Sequence, residues 1–323
     1  MSRPPRSGRG GSGCLTFAAA ALLFLLACIA LGGAMTAATS SSLHRGRLVD
    51  IGGRSLRLVC EGPNGPGPTV WLESGAFGFS ADWAAVQHLL KNEGVHSCAY
   101  DRAGLGRSDP GPRPRDGLAV VQDVERLQAA AHETGPFILV GHSMAGLYVR
   151  LFAARNPDKV AGIVLVDATT PEAIESDSMR NFVEQFANVS KVAGWTASAG
   201  LLKPLAFLGD AIGLEGQASA EKRWAFGHGA HNRWAAEEVE QWPRTADEAA
   251  RAGKLDPAWP TAVVTAGHGP RGFKAVQARP AREARRGYVK NVPDASHASL
   301  LGVKFAKEIV EAIDFVREAG KAG

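Results

Sequence analysis

The segment from Leu139 to Gly146 constrains the fold of this chain more than any other. It reads Leu-Val-Gly-His-Ser-Met-Ala-Gly, and it lies between an apolar run at residues 137–140 and a helical pattern that starts at Leu147. A strand-to-helix turn this tight strains the backbone of its central residue and tolerates only small neighbours. We expect the turn to lift Ser143 above the end of a sheet as a nucleophile. Ala145 stands where the Gly-x-Ser-x-Gly pattern has its second glycine, and another glycine follows it.

Strand-like and helical patterns alternate through most of the chain after residue 46. A Gly-Gly pair at residues 52–53 joins the first two apolar runs and predicts an antiparallel hairpin. The later alternation predicts a mainly parallel sheet with helices on both faces. The predicted strands cover residues 48–51, 55–60, 69–73, 95–100, 137–140, 163–166, 261–265 and 287–292, and the predicted helices cover 84–90, 118–131, 147–155 and 303–318.

The alternation pauses between about residues 168 and 260, where the pattern becomes helical. This insertion has the size and position of a helical cap over the strand ends. We expect its tryptophans to form the core of the cap, with one or two lining a substrate pocket. They are Trp195, Trp224, Trp234, Trp242 and Trp259.

The N-terminal segment differs in kind from the rest of the chain. Arg3, Arg6 and Arg9 precede an apolar run at residues 15–31, and small and polar residues follow it. This pattern is typical of an export signal, which is either cleaved or kept as a membrane anchor. The sequence therefore predicts an N-terminal signal peptide or anchor at residues 1–42, and a domain at residues 43–323 that lies outside the cytoplasm.

Composition narrows the function classes. The net charge of +4 is modest for 323 residues, and no basic run interleaved with aromatics suggests a nucleic acid partner. Basic residues between Arg271 and Lys290 predict a solvated helix face or, as the alternative, contact with anionic lipid headgroups.

Cys60 and Cys98 form either a disulfide or two buried thiols. The sequence shows no Cys/His cluster with zinc spacing, and we expect neither a metal nor an organic cofactor.

The order and spacing of several motifs resemble the α/β-hydrolase superfamily, from about Gly46 to the C-terminus. Each motif is weak alone, but their combination is specific. The resemblance implies an eight-stranded, mostly parallel sheet with an antiparallel N-terminal hairpin and a helical cap, and a hydrolase with a Ser-Asp-His triad. The motifs are the opening hairpin, residues 73–78 (Glu-Ser-Gly-Ala-Phe-Gly), residues 100–108 (Tyr-Asp-Arg-Ala-Gly-Leu-Gly-Arg-Ser), residues 141–146, residues 165–167 (Leu-Val-Asp) and residues 296–297 (Ser-His).

A serine hydroxyl needs an adjacent base, which is normally a histidine. His297 is our candidate, because it follows the last predicted strand by a short loop. His268, after the strand at residues 261–265, is the competitor. His142 is expected to point away from the hydroxyl and to act as a packing residue. His228 and His231 lie in the presumed cap.

The triad carboxylate follows the serine and precedes the histidine on this fold. Its usual place is the loop at residues 266–272, which contains no Asp or Glu. Asp294 is too close to His297 in the chain to reach its ring comfortably. Asp167 is the remaining candidate for the acid, with helix capping as its alternative role.

The resemblance places the oxyanion donors on the backbone. They are the N–H of Met144, after the nucleophile, and the N–H of Ala76, with Phe77 as the fallback. Asp101 and Arg102 are expected to brace loops. The predicted activity is hydrolysis of a carboxylic ester or related acyl compound of small size through an acyl-enzyme on Ser143, with esterase, peptidase, amidase and lipase as variants.

Two other functions stay open on the same sequence. One is a different reaction on the same triad, such as acyl transfer or C–C bond hydrolysis. The other is a ligand-binding protein that keeps the fold without catalysis. The haloalkane dehalogenases and epoxide hydrolases of this superfamily use an aspartate nucleophile at that position. A serine there argues against both activities.

Overall fold

A computed structural model of the chain describes residues 11–40, 45–267 and 271–321. Eight strands form one sheet in the spatial order β1-β2-β4-β3-β5-β6-β7-β8. Pairing is antiparallel between β1 and β2 and between β2 and β4, and it is parallel elsewhere. The strands are β1 Arg47–Asp50, β2 Ser55–Glu61, β3 Thr69–Glu73, β4 Ser97–Tyr100, β5 Phe137–His142, β6 Val160–Val166, β7 Thr261–Ala266 and β8 Gly287–Val292.

Helices cover both faces of this sheet and its carboxyl edge. The described α-helices are α1 Gly11–Ser40, α2 Ala84–Asn92, α3 Gly117–Ala131, α4 Ala145–Arg155, α5 Pro171–Ile174, α6 Asp177–Ser198, α7 Gly216–Gly227, α8 Gly229–Glu240, α9 Trp242–Arg251, α10 Arg271–Gln277, α11 Arg279–Glu283 and α12 Ala306–Lys321. Short 3-10 helices cover Ser80–Trp83, Pro157–Lys159, Lys203–Ile212 and Ser299–Leu301. The architecture confirms the predicted fold class.

The central strand β3 shows why the sheet is covered on both faces. All five of its residues are buried. Val70 and Leu72 pack into one hydrophobic cluster, whereas Trp71 between them packs into the other. Successive side chains of a strand point to opposite faces, so each cluster is the core on one side of the sheet.

Helices α5 to α9 lie between β6 and β7 in the chain. They are joined to the sheet domain by buried charge pairs. Arg102 pairs with Glu238 of α8 at 2.9 Å, and Arg57 pairs with Glu221 of α7 at 2.8 Å. Removing either partner of a pair would leave a buried charge uncompensated. These pairs therefore fix the position of helices α5 to α9, the cap, on the strand ends.

Helix α1 contains no charged residue. It contacts the cap, where Ile29 lies close to Gly200. Among residues 11–40, 45–267 and 271–321, no helix combines the length and apolar character that crossing a membrane requires. Export of the chain stays a prediction.

Cys60 and Cys98 form a disulfide, which settles a pairing that the sequence left open. The two residues are directly opposite each other in the antiparallel pair of β2 and β4. The bond therefore ties the antiparallel edge of the sheet to its parallel centre.

The strand-to-helix turn depends on Gly146 more than on position 145. A Cβ at Gly146 would lie 2.5 Å from the carbonyl oxygen of Thr169, whereas Ala145 is accommodated with no exposed surface. We predict that Gly146→Ala destabilises the chain by about 1–3 kcal/mol, because overpacking forces the backbone to shift. Urea unfolding measures this change. Gly65→Ala is the matched control, since a Cβ there meets nothing within 4 Å; equal stability of the two variants would contradict the argument.

Candidate active site

Ser143 follows β5 and begins the turn into α4. Its backbone has a φ of +56°, in the left-handed region that a serine rarely adopts. Hydrogen bonds fix this conformation on both sides of the residue: its N–H donates to Val166 at 3.1 Å, and its carbonyl accepts from the N–H of Thr169 at 2.8 Å. The surrounding structure therefore holds the strain in place.

Asp167 and His297 meet at the same edge of the sheet. Asp167 follows β6 with a φ of +41°, and His297 lies in the loop after β8. The His297 Nδ1 is 2.6 Å from Asp167 Oδ2. A carboxylate only accepts, so Nδ1 carries the hydrogen, and Nε2 of the neutral ring is free to accept a proton.

The second carboxylate oxygen of Asp167 is also held. Oδ1 accepts from the N–H of Ala266 at 3.4 Å and from Gln277 Nε2 at 3.2 Å. Burial alone would raise the pKa of Asp167, but the hydrogen bond and charge of His297, with these further donors, lower it below its ordinary value. The carboxylate is thus anionic at neutral pH.

Ser143, Asp167 and His297 line one cavity of about 560 Å³. Most of the remaining wall is apolar, and it comes largely from the cap. Trp242 is the cap tryptophan that reaches this cavity. Gln277 and Lys222 are polar wall residues that no sequence motif indicated. The apolar wall residues are Ala76, Met179, Phe182, Phe186, Ile212, Trp242, Phe273, Ala298 and Leu301.

His142 does not point away from this site, so that expectation is wrong. Its ring centroid is 4.5 Å from that of His297, and both rings line the cavity. Nε2 of His142 is 3.1 Å from the carbonyl oxygen of His297, to which it donates. Burial, and then the nearby His297, lower the pKa of His142 to about 3. The neutral ring therefore supports the backbone of His297. His268, the competing histidine, lies outside the described residues.

The glycine-rich exit of β3 passes directly over Ser143. A Cβ at Gly75 would lie 2.7 Å from the Cβ of Ser143, so only glycine allows this approach. Ala76 lines the cavity. Across the described part of the chain, the N–H groups of Ala76 and Met144 donate to no protein acceptor. Two unused donors beside the serine are the groups that a developing oxyanion requires.

Arg102 holds this exit in place, as predicted for a bracing residue. The guanidinium is buried and donates to the carbonyl oxygens of Ser74 and Gly75, the latter at 2.8 Å. It also pairs with Glu73 and Glu238, each at 2.9 Å. Because these carbonyls are fixed, the peptide that carries the Ala76 N–H is fixed as well.

The cap holds the next residue of the same turn. Lys222 of α7 donates to the carbonyl of Phe77 at 3.1 Å and pairs with Asp82 at 2.7 Å. Phe77 has a φ of +57°. In the described chain four residues other than glycine have positive φ, and three of them, Phe77, Ser143 and Asp167, are at this site. Strain is concentrated where positioning matters.

A family of known proteins matches most of the chain. Residues 68–302 match the family described as the alpha/beta hydrolase fold. The chain belongs to this family. An enol-lactonase from Burkholderia xenovorans LB400 has the same fold, with a TM-score of 0.61, 19% identity and coverage of 83% of this chain and 99% of that one.

Curated relatives of this α/β-hydrolase-fold chain include a hydrolytic enzyme. A bifunctional esterase/perhydrolase of Acinetobacter calcoaceticus is 32% identical over 118 residues, which are 34% of this chain and 40% of that protein. An uncharacterized vacuolar membrane protein of Saccharomyces cerevisiae is 32% identical over 126 residues, 36% of this chain and 18% of that protein. The chain spans about a fifth of the length of such larger relatives.

The depressed pKa of His142 predicts a pH-dependent contribution to stability. The unfolded chain binds a proton on this ring near pH 6.5, whereas the folded chain does so only near pH 3. Between these values the free energy of unfolding falls with falling pH by about 1.4 kcal/mol per pH unit from this group. We therefore predict that the stability difference between the wild type and His142→Asn changes in favour of the variant from pH 7 to pH 5. Urea unfolding tests this, and a constant difference would contradict it.

Proposed function

We propose that the chain is a serine hydrolase that cleaves a carboxylic ester or a related acyl bond in a small molecule, with Ser143, His297 and Asp167 as its triad. The observation that carries this proposal is the 2.6 Å hydrogen bond between Asp167 and His297 in the cavity that Ser143 also lines. An oriented carboxylate–imidazole pair in the same cavity as a strained serine is the arrangement that activates a hydroxyl.

The proposed reaction begins when Ser143 Oγ attacks the substrate carbonyl carbon and His297 Nε2 accepts the hydroxyl proton. Asp167 stabilises the imidazolium that results. The former carbonyl oxygen becomes negative and accepts from the N–H groups of Ala76 and Met144. His297 then protonates the leaving group. Water, deprotonated by His297, cleaves the acyl-enzyme and restores the serine hydroxyl.

Two features favour hydrolysis of an uncharged acyl compound. The cavity wall is mainly apolar, and among its described residues the one lysine or arginine, Lys222, is paired with Asp82. The esterase activity named for the Acinetobacter relative agrees with this chemistry. Product analysis with and without an acceptor alcohol separates hydrolysis from acyl transfer.

We also propose that the chain acts outside the cytoplasm. The basic and apolar N-terminal segment supports this location, and so does the Cys60–Cys98 disulfide, since disulfides persist in oxidising compartments. Alkaline phosphatase fused after residue 46 would be active if the segment directs export. An inactive but stable fusion would count against it.

Fluorophosphonate labelling tests the nucleophile directly. We predict one covalent adduct on the wild-type chain, located at Ser143 by peptide mass spectrometry, and none on Ser143→Ala. The probe phosphonylates a serine only when a base and oxyanion donors activate it. A folded wild-type chain that resists the probe would instead favour the ligand-binding alternative.

Asp167→Asn tests the acid. The amide keeps the shape but cannot stabilise the imidazolium, and it favours the wrong tautomer of His297. We predict a loss of kcat on the order of 10⁴-fold with little change in KM. Kinetics on a p-nitrophenyl ester measures both constants. Asp294→Asn is the control, because Asp294 is too close to His297 in the chain to reach its ring comfortably. A larger loss of kcat in Asp294→Asn than in Asp167→Asn would reverse the assignment.

Arg102→Lys tests whether Arg102 positions the turn that carries the proposed oxyanion donor, the N–H of Ala76. A lysine ammonium cannot hold two carbonyls and two carboxylates as the guanidinium fork does. We predict a 10- to 100-fold lower kcat, of the order expected when oxyanion donors are misplaced. The exposed Arg113, which pairs with Glu237, gives the control Arg113→Lys with unchanged kcat. Thermal unfolding of both variants separates misfolding from mispositioning.

A further inference from the structure

The disulfide lies within a larger cluster at the amino edge of the sheet. Cys60 is on β2 and Cys98 on β4, His96 directly precedes β4, and Glu133 lies between α3 and β5. One ligand atom from each of these four residues lies within 4.8 Å of the others. The four residues are distant in the chain except for His96 and Cys98, so the sequence showed no zinc spacing. We call them the amino-edge cluster.

The distances within the amino-edge cluster suit a metal ion. Sγ of Cys98 is 3.6 Å from Nε2 of His96, Sγ of Cys60 is 4.0 Å from Oε1 of Glu133, and Nε2 is 3.2 Å from Oε1. Ligands at zinc–sulfur distances of about 2.3 Å and zinc–nitrogen or zinc–oxygen distances of about 2.0–2.2 Å lie roughly 3.3–3.8 Å apart in a tetrahedron. Three edges of the cluster are therefore close to tetrahedral already.

Hydrogen bonds on the side away from the sulfurs orient the other two candidate ligands, His96 and Glu133. Nδ1 of His96 is 3.3 Å from the carbonyl oxygen of Gly62, to which it donates, and this leaves Nε2 facing the sulfurs. Glu133 Oε2 accepts from Thr69 Oγ1 at 3.4 Å, and this directs Oε1 inward. Ligands in known metal sites are positioned in the same way. Nε2 and Oε1 both present lone pairs to each other, so a cation, either a proton or a metal ion, has to lie between them.

We propose that the amino-edge cluster is a zinc site when the Cys60–Cys98 disulfide is reduced. Reduction by a phosphine and water breaks the S–S bond, gives two thiols and converts the phosphine to its oxide. Zinc then replaces the two thiol protons and the proton held between His96 and Glu133, all three of which leave to solvent, and it is bound by two thiolates, Nε2 of His96 and Oε1 of Glu133. Four protein ligands close the coordination sphere, which makes the site structural and not catalytic.

The zinc site is independent of the proposed hydrolase. The amino-edge cluster lies where the parallel strands β4 and β5 begin, whereas Ser143, Asp167 and His297 follow the carboxyl ends of their strands. Disulfide and zinc are alternative crosslinks between β2 and β4, and the zinc form would in addition bind the loop before β5 through Glu133. Loss of zinc binding and loss of fluorophosphonate labelling therefore report on different ends of the sheet.

The test uses the full chain, reduced with a phosphine, freed of reductant without oxygen and mixed with Zn²⁺. Bound metal is measured after desalting with a chromogenic chelator. We expect one zinc per reduced chain and none per oxidised chain. Co²⁺ in place of zinc should give thiolate-to-cobalt charge-transfer absorption and visible bands of a tetrahedral site.

Two variants and one control assign the ligands. His96→Ala and Glu133→Ala should each weaken zinc binding at least 10-fold, while the cysteines stay intact. His88→Ala removes an exposed histidine of α2 that lies outside the cluster, and it should bind zinc like the wild type. A reduced chain that takes up no zinc, a cobalt complex without thiolate absorption, or full affinity in both His96→Ala and Glu133→Ala would overturn the proposal. Far-ultraviolet circular dichroism confirms that each reduced variant is folded.

Discussion

The strained turn at Ser143 is the constraint on which the rest of the site depends. A serine at a φ of +56° is unfavourable by itself, and it persists because β6 on one side and the loop after β6 on the other bind its backbone. Gly75 and Gly146 give the turn its space, since a Cβ at either would collide with Ser143 or with Thr169. The side chain is thus presented to the cavity by packing and backbone hydrogen bonds, before any catalytic partner is considered.

Charged side chains hold the backbone around that serine in place. Arg102 satisfies two carboxylates and two carbonyls at once, so it both compensates Glu73 and Glu238 and fixes the turn that carries the Ala76 N–H. Lys222 brings the cap to the same turn through the carbonyl of Phe77. Because Arg102 is buried and Lys222 is only 15% exposed, their partners are hard to exchange for water, and these contacts join the cap to the turn. A change in the cap's position would therefore reach the Ala76 N–H as well as the cavity wall.

The sequence predicted the parts of this structure that follow from local pattern and chain order. Alternating apolar runs located the strands, and the small residues around Ser143 located the turn. Elimination selected Asp167 and His297, and the structure places them in hydrogen-bond contact. The expected direction of His142 is wrong, because a pattern of small residues locates a turn but does not determine which way the side chain before its central residue points. Lys222 and Gln277 gave no signal, since their contacts depend on how the cap helices cross the strand ends.

The amino-edge cluster was also not predictable from the sequence, because its residues are far apart in the chain. In a parallel sheet, the residues that follow the strands lie at one edge and the residues that precede them lie at the other. At the carboxyl edge this brings together Ser143, Asp167 and His297, for which chain order is a guide. At the amino edge it brings His96 and Glu133 to the antiparallel Cys60–Cys98 pair. No sequence motif predicts this cluster. Because β2 runs antiparallel to β4, it is the carboxyl end of β2 that lies at the amino edge of the parallel strands. A cluster like the one at the amino edge can therefore be recognised only once strand order and direction are known.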